Sequence, residues 1–128
     1  MRDAQVENEA SAASQSLNHW VLMASVVERQ PLRLTPAGIP VCDCVLEHGS
    51  TQIEAGDFRQ VTTRVRAIAM GVMAERLDRQ ELGRAARFEG FLATPARGRR
   101  HDASSAPARP TLVFHIQDMT LLATTPSL

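Results

Sequence analysis

The stretch Val41–His48, VCDCVLEH, alternates: Cys42, Cys44 and Leu46 fall on one face, Asp43 and Glu47 on the other. A two-residue period marks a strand with one buried face, and a slip of one residue would turn its whole apolar set to water. The period returns in Phe58–Met70, FRQVTTRVRAIAM. There Val61, Thr63 and Val65 oppose Phe58, Gln60, Thr62, Arg64 and Arg66. Strands of this kind must share one sheet and one buried side, which makes the chain predominantly β.

The remaining segments fill in that frame. Leu17–Val27, LNHWVLMASVV, is apolar and partly β-branched with no helix cap, and reads as a first strand. Within it Trp20–Val27 is apolar on both faces, as in a strand covered on both sides, whether by a second copy or by its own barrel. Gln30-Pro31 breaks it, and LTPAGIP makes a turn or hairpin tip. GSTQIEAGD, residues 49–57, reads as a loop. In MGVMAERLDRQELG the period changes: Met70, Met73 and Leu77 recur at helical spacing, Glu75 and Arg79 form an i,i+4 pair, and Gly83 suits the stop. RAARFEGFLAT resumes as a strand, and its internal Gly90 predicts a bulge or sharp bend. Residues 94–110 form a long exposed basic loop, and TLVFHIQDMTLLA is the last strand. Residues 1–15 read as a flexible tail, 16–123 as one domain and 124–128 as a short C-terminal tail. Three strands, one helix and two strands are compatible with an all-β, five-stranded OB-fold, a Greek-key barrel with its helix between strands 3 and 4.

Formal net charge is zero, with fourteen acidic side chains against fourteen basic ones, all arginine. The totals therefore do not announce a strongly basic nucleic-acid binder. Arginine forks onto phosphate and stacks on flat rings as lysine does not, although codon bias also explains the absence of lysine. No run approaches the ~20 apolar residues of a membrane helix, and the N-terminus lacks the apolar run of a secretory signal. A cytoplasmic protein with two free thiols is the expectation.

Cys42, Cys44 and His48 allow three readings. Structural zinc takes four ligands, usually with cysteines on a turn; here Cys-x-Cys lies in an alternating strand with no second pair. A nucleophilic cysteine needs a poised histidine and a local positive field, which nothing marks. The favoured reading is two small buried thiols beside Leu46. No metal or cofactor is expected. Without a phosphate loop, an interpretable carboxylate pair or a Ser–His motif, neither is an enzyme.

Four pieces carry a family resemblance: PLRLTPAGIP, the VLEH ending the second strand, EAGDFRQ opening the third, and FEGFL in the fourth. The first is the most specific, because its prolines and glycine sit at fixed offsets between two strands. Over about residues 17–122 the chain resembles the primosomal replication protein N (PriB) family, an offshoot of bacterial single-stranded-DNA-binding proteins. The resemblance implies an OB-fold homodimer paired through its N-terminal strands. It also implies binding to single-stranded DNA and action with the primosomal helicase PriA, and with other primosome proteins, at stalled forks.

OB-folds bind single strands with a positive groove and aromatic platforms. The candidates are Phe58, Arg59, Thr62, Arg64 and Arg66 on the third strand, and Arg97, Arg99, Arg100 and Arg109 in the 94–110 loop, opposed only by Asp102. Arg33 in the first hairpin is weaker. An ordinary solvated face and a soluble linker are the bland alternatives. The family's third strand can carry a DNA-facing tryptophan where this chain has Thr62. Trp20 suits core or dimer packing, and Phe88, Phe91 and Phe114 suit the core. Phe58 is then the sole plausible stacking ring, so weak, salt-sensitive binding with little sequence preference is expected. A protein–protein adaptor on the same fold is the alternative. The ending LLATTPSL lacks the acidic tail typical of self-sufficient strand-coating proteins, which favours an accessory role.

Overall fold

The computed structural model describes residues 16–95 and 111–123. The reading of residues 1–15 and 124–128 as tails lies outside them, as does nearly all of the 94–110 loop. Six strands form in chain order: β1 (Trp20–Arg29), β2 (Arg33–Leu34), β3 (Pro40–Glu54), β4 (Asp57–Met70), β5 (Ala85–Ala93) and β6 (Val113–Leu121). One helix, α1 (Val72–Asp78), separates β4 from β5. The sheet order is β1-β5-β6-β4-β3-β2, and β1 also pairs with β3, which closes β1, β5, β6, β4 and β3 into a barrel. β4 and β6 run parallel and the other pairings are antiparallel. β2 is a two-residue ribbon beside Pro40 and Val41, outside the closed ring. The five-stranded OB-fold with its helix between the third and fourth barrel strands is thus the observed architecture.

The core follows the alternation. Ala24 and Val26 of β1, Cys42, Cys44 and Leu46 of β3, Ala67 and Ala69 of β4, Phe88 of β5, and Phe114, Ile116 and Met119 of β6 are buried together. Trp20 packs on its margin, edge-on to Phe114 with ring centroids 5.3 Å apart. Helix α1 buries Ala74 and Leu77 against the core. Arg29 of β1 donates to the carbonyls of Leu77, in the last turn of the helix, and of Gln80 just beyond it, tying the helix C-terminus to the barrel.

Several expectations need correction. The first strand starts at Trp20 rather than Leu17. The side chain of Asn18 instead donates to the Leu92 carbonyl (2.8 Å) and accepts from its amide (3.0 Å), clasping β5. Residues 49–57 are not a loop: β3 and β4 stay paired down to Glu54 opposite Asp57. Only Ala55 and Gly56 turn the chain, with φ of 54° and 85°, the positive angles that the tight type I′ hairpin requires. Thr51 and Ile53 continue the alternation opposite Gln60 and Phe58, and cross-strand pairing outweighs the glycines. Met70 belongs to β4, half exposed, and the helix ends at Asp78, well before Gly83. With Arg79 already the C-cap, it makes no ion pair with Glu75 among the described residues.

The bulge predicted at Gly90 is present, but its extra residue lies on the other strand. Glu89 faces Asp118 and Gly90 faces Ile116, so Gln117 of β6 is the unpaired insertion. Gly90 permits this because a Cβ there would lie 1.8 Å from the His115 carbonyl oxygen. β5 therefore keeps its own alternation, which puts Phe88 inside and Phe91 outside. Phe91 leaves the core, half-buried, and stacks on His115 with centroids 4.7 Å apart and planes 11° from parallel.

Candidate nucleic-acid interface

Registered pairing fixes the outward face of the barrel. Ile53 stands beside Phe58, Gly49 beside Thr62, Glu47 beside Arg64, Val45 beside Arg66 and Asp43 beside Ile68. β6 continues these rows with Val113 next to Arg66 and His115 next to Ile68, and β5 adds Phe91 next to His115. Phe58, Thr62, Arg64 and Arg66 thus share one face, with Val61, Thr63 and Val65 turned inward. Arg59 has inward parity. It leaves the barrel only because the hairpin overhangs it, so the structure separates Arg59 from the other four.

Phe58, at 79% exposure, is held at the hairpin end beside the 68%-exposed Ile53. The ring is thus kept in water, both faces clear of the core, at the end of a rigid ladder. Three of the four described candidate arginines are already matched. Arg64 Nε donates to Glu47 at 2.9 Å, Arg59 Nη1 to Glu54 at 2.6 Å, and Arg33 Nε to Asp43 at 2.8 Å. Hydrogen bonds to Asp43 and Glu47 raise the pKa values of Arg33 and Arg64 further. Exposed pairs of this kind are weak, because solvent screens them and both side chains lose freedom to form them. Arg66 alone of these candidates has no ion-pair partner among the described residues. Arg97, Arg99, Arg100 and Arg109 lie outside the described residues.

The thiol question closes in favour of the core. Cys42 and Cys44 are buried beside Leu46, and burial raises both thiols, that of Cys44 to about 12. His48 spends both nitrogens elsewhere. Nδ1 lies 2.7 Å from the Met23 carbonyl oxygen, to which it donates, and Nε2 lies 2.8 Å from Ser50 Oγ. That contact satisfies a β1 carbonyl just past the point where β1 leaves β3.

The Phe91–His115 stack was missed from sequence, although a signal existed. Phe88 and Phe91 are three residues apart, an odd separation, so an unbroken strand must send them to opposite faces.

The closed five-stranded barrel with its helix between the third and fourth strands defines an OB-fold protein. Residues 18–118 match the profile of a family described as another single-strand binding protein family. The replication restart protein PriB of Bordetella pertussis is 41% identical over 81 residues, 63% of this chain and 75% of that protein. That of Neisseria gonorrhoeae is 41% identical over 78 residues, 60% of this chain and 77% of its own. The solved structure of PriB from Ralstonia solanacearum superposes with a TM-score of 0.66 at 36% identity, covering 84% of this chain and all of that one. A single-stranded DNA-binding protein of Thermus aquaticus shares the fold, with a TM-score of 0.64 at 22% identity over 84% of this chain and 50% of that one. The chain belongs to the PriB family of replication restart proteins, related to the bacterial single-strand-binding proteins.

Proposed function

We propose that this chain binds single-stranded DNA as an accessory protein of the replication-restart primosome, working as a homodimer with the helicase PriA at stalled forks. The observation that carries the DNA half is the outward row Phe58, Thr62, Arg64 and Arg66, held on rigid strands against an inward row of apolar and threonine side chains. A ring and cations on one strand face meet what a single strand offers, stackable bases and phosphates. Arg97, Arg99, Arg100 and Arg109 add net +3 over residues 94–110. The described residues hold nine arginines against ten acidic side chains, so attraction to phosphate falls to that loop, to Arg66 and to local pairs that open. Binding is accordingly weak and falls steeply with salt, by about 0.7 log units in affinity per log unit of salt for each phosphate engaged.

The matched charges also favour a second reading, an adaptor that contacts the helicase with negligible DNA affinity. Fluorescence anisotropy of labelled oligo-dT, single- and double-stranded, at two salt concentrations tests the choice. Salt-sensitive preference for the single strand, lost when Arg97, Arg99, Arg100 and Arg109 are neutralised, supports DNA binding. No binding at low salt overturns it and leaves the adaptor.

A further inference from the structure

Beyond Phe58 and the arginines, the outward face carries a second aromatic feature. Phe91 and His115 stack across β5 and β6, and both line a recess of about 380 Å³ together with Ile68, Met70, Met73 and Gln117. That volume falls in the ~300–1,000 Å³ range of sites that hold flat organic ligands. The lining is mixed, with Ile68, Met70, Met73 and Phe91 beside the His115 ring and the Gln117 amide, and the bulge that inserts Gln117 sets that amide at the recess wall. Gly90 lets the His115 backbone approach closely enough to bring the two rings together. The recess is therefore built by the fold rather than left by loose packing.

Charge identifies the occupant. Ile68 and His115 are direct neighbours across β4 and β6, and Arg66 and Val113 are the next outward pair. Arg66 thus stands one strand repeat, about 6.6 Å, from the recess. Among the described residues its charge is unmatched, whereas Arg33, Arg59 and Arg64 are paired with carboxylates. A slot edged by aromatic rings beside one free cation fits a base and its phosphate. An apolar side chain of a protein would leave Arg66 without a partner.

We infer that this recess seats one base of a single strand against the Phe91–His115 stack, with the neighbouring phosphate on Arg66. The inference rests on the DNA-binding reading and adds a base contact on β5 and β6, remote from the hairpin tip that holds Phe58. It is tested with oligo-dT and an abasic strand of equal length, using the full chain and the variants Phe91→Leu and Arg66→Gln. Phe91→Leu is expected to weaken oligo-dT binding about five- to hundredfold and to leave the abasic strand unaffected. Arg66→Gln is expected to weaken both and to flatten the salt dependence. Unchanged oligo-dT affinity in Phe91→Leu, or equal loss on both strands, overturns the seat.

If Phe91→Leu fails to fold, Phe91→Trp decides. Its emission above that of the wild-type chain should be quenched by oligo-dT and not by the abasic strand. Absence of quenching at saturation overturns the seat and leaves the recess to an apolar side chain of a partner protein. Wild-type protein that binds oligo-dT while Trp emission stays unquenched defeats the seat alone. Wild-type protein that binds no single strand at low salt defeats the function reading and the seat with it.

Discussion

The carboxylate of Glu47 lies 2.9 Å from Arg64 and holds that cation on the outer face of β4. Glu47→Gln should release it. Affinity for oligo-dT at low salt is expected to rise up to about fivefold, the equivalent of an exposed ion pair; an unchanged anisotropy titration would place Arg64 off the DNA path. The thiols give a second residue-scale prediction. The chain has neither lysine nor tyrosine, so its cysteines are the side chains that titrate between pH 9 and 12. Burial raises Cys44 from 9.0 to about 12, so above pH 9 the unfolded chain releases a proton that the folded chain retains. Stability from this group is complete below pH 9 and is lost as pH rises toward 12. Urea unfolding at pH 8 and pH 10.5 should show that fall, and Cys44→Ala should shrink it.

At the scale of elements, the β3–β4 hairpin decides where Phe58 and Arg59 stand. Its turn places Ala55 at φ 54°, a left-handed angle that costs an ordinary residue about 1 kcal/mol and that asparagine or glycine tolerates. Ala55→Asn should raise the unfolding free energy by about 0.5–1 kcal/mol at constant m-value, measured by urea denaturation. The hairpin also shows why strand limits escaped the sequence. Gly49 and Gly56 suggested a loop between them, yet Thr51 and Ile53 satisfy the two-residue period and find cross-strand partners in Gln60 and Phe58. Local breaker residues bias the backbone by about 1 kcal/mol each, less than a continuous ladder returns. Helix α1 shows the converse: Met70 extended the apparent helical spacing, but its pairing with Val41 made it strand.

For the whole molecule, the open question of assembly turns on β1. Trp20–Ser25 pairs with β5, whereas pairing with β3 begins only at Ser25, so among the described residues the second edge of the Trp20–Ala24 half carries no strand, and the His48 ring meets the Met23 carbonyl there. Val21 and Met23 stand on its outer face at 44% and 52% exposure. A homodimer joined there should become monomeric in Met23→Arg without loss of fold, as sedimentation velocity would show; a monomeric wild type would refute it. Which faces are buried was legible from the chain alone, because alternation in β3 and β4 is a local property that only one sheet register satisfies. The same holds for the helix between the third and fourth barrel strands, for the core thiols, and for the shared face of Phe58, Thr62, Arg64 and Arg66. What only tertiary structure decided depends on partners distant in sequence. The extra residue of the Gly90 bulge fell on β6, which kept β5 in phase and turned Phe91 outward onto His115. Arg33, Arg59 and Arg64 met carboxylates across neighbouring strands while Arg66 met valines. Periodicity states which way a side chain points; register across the sheet determines what it meets.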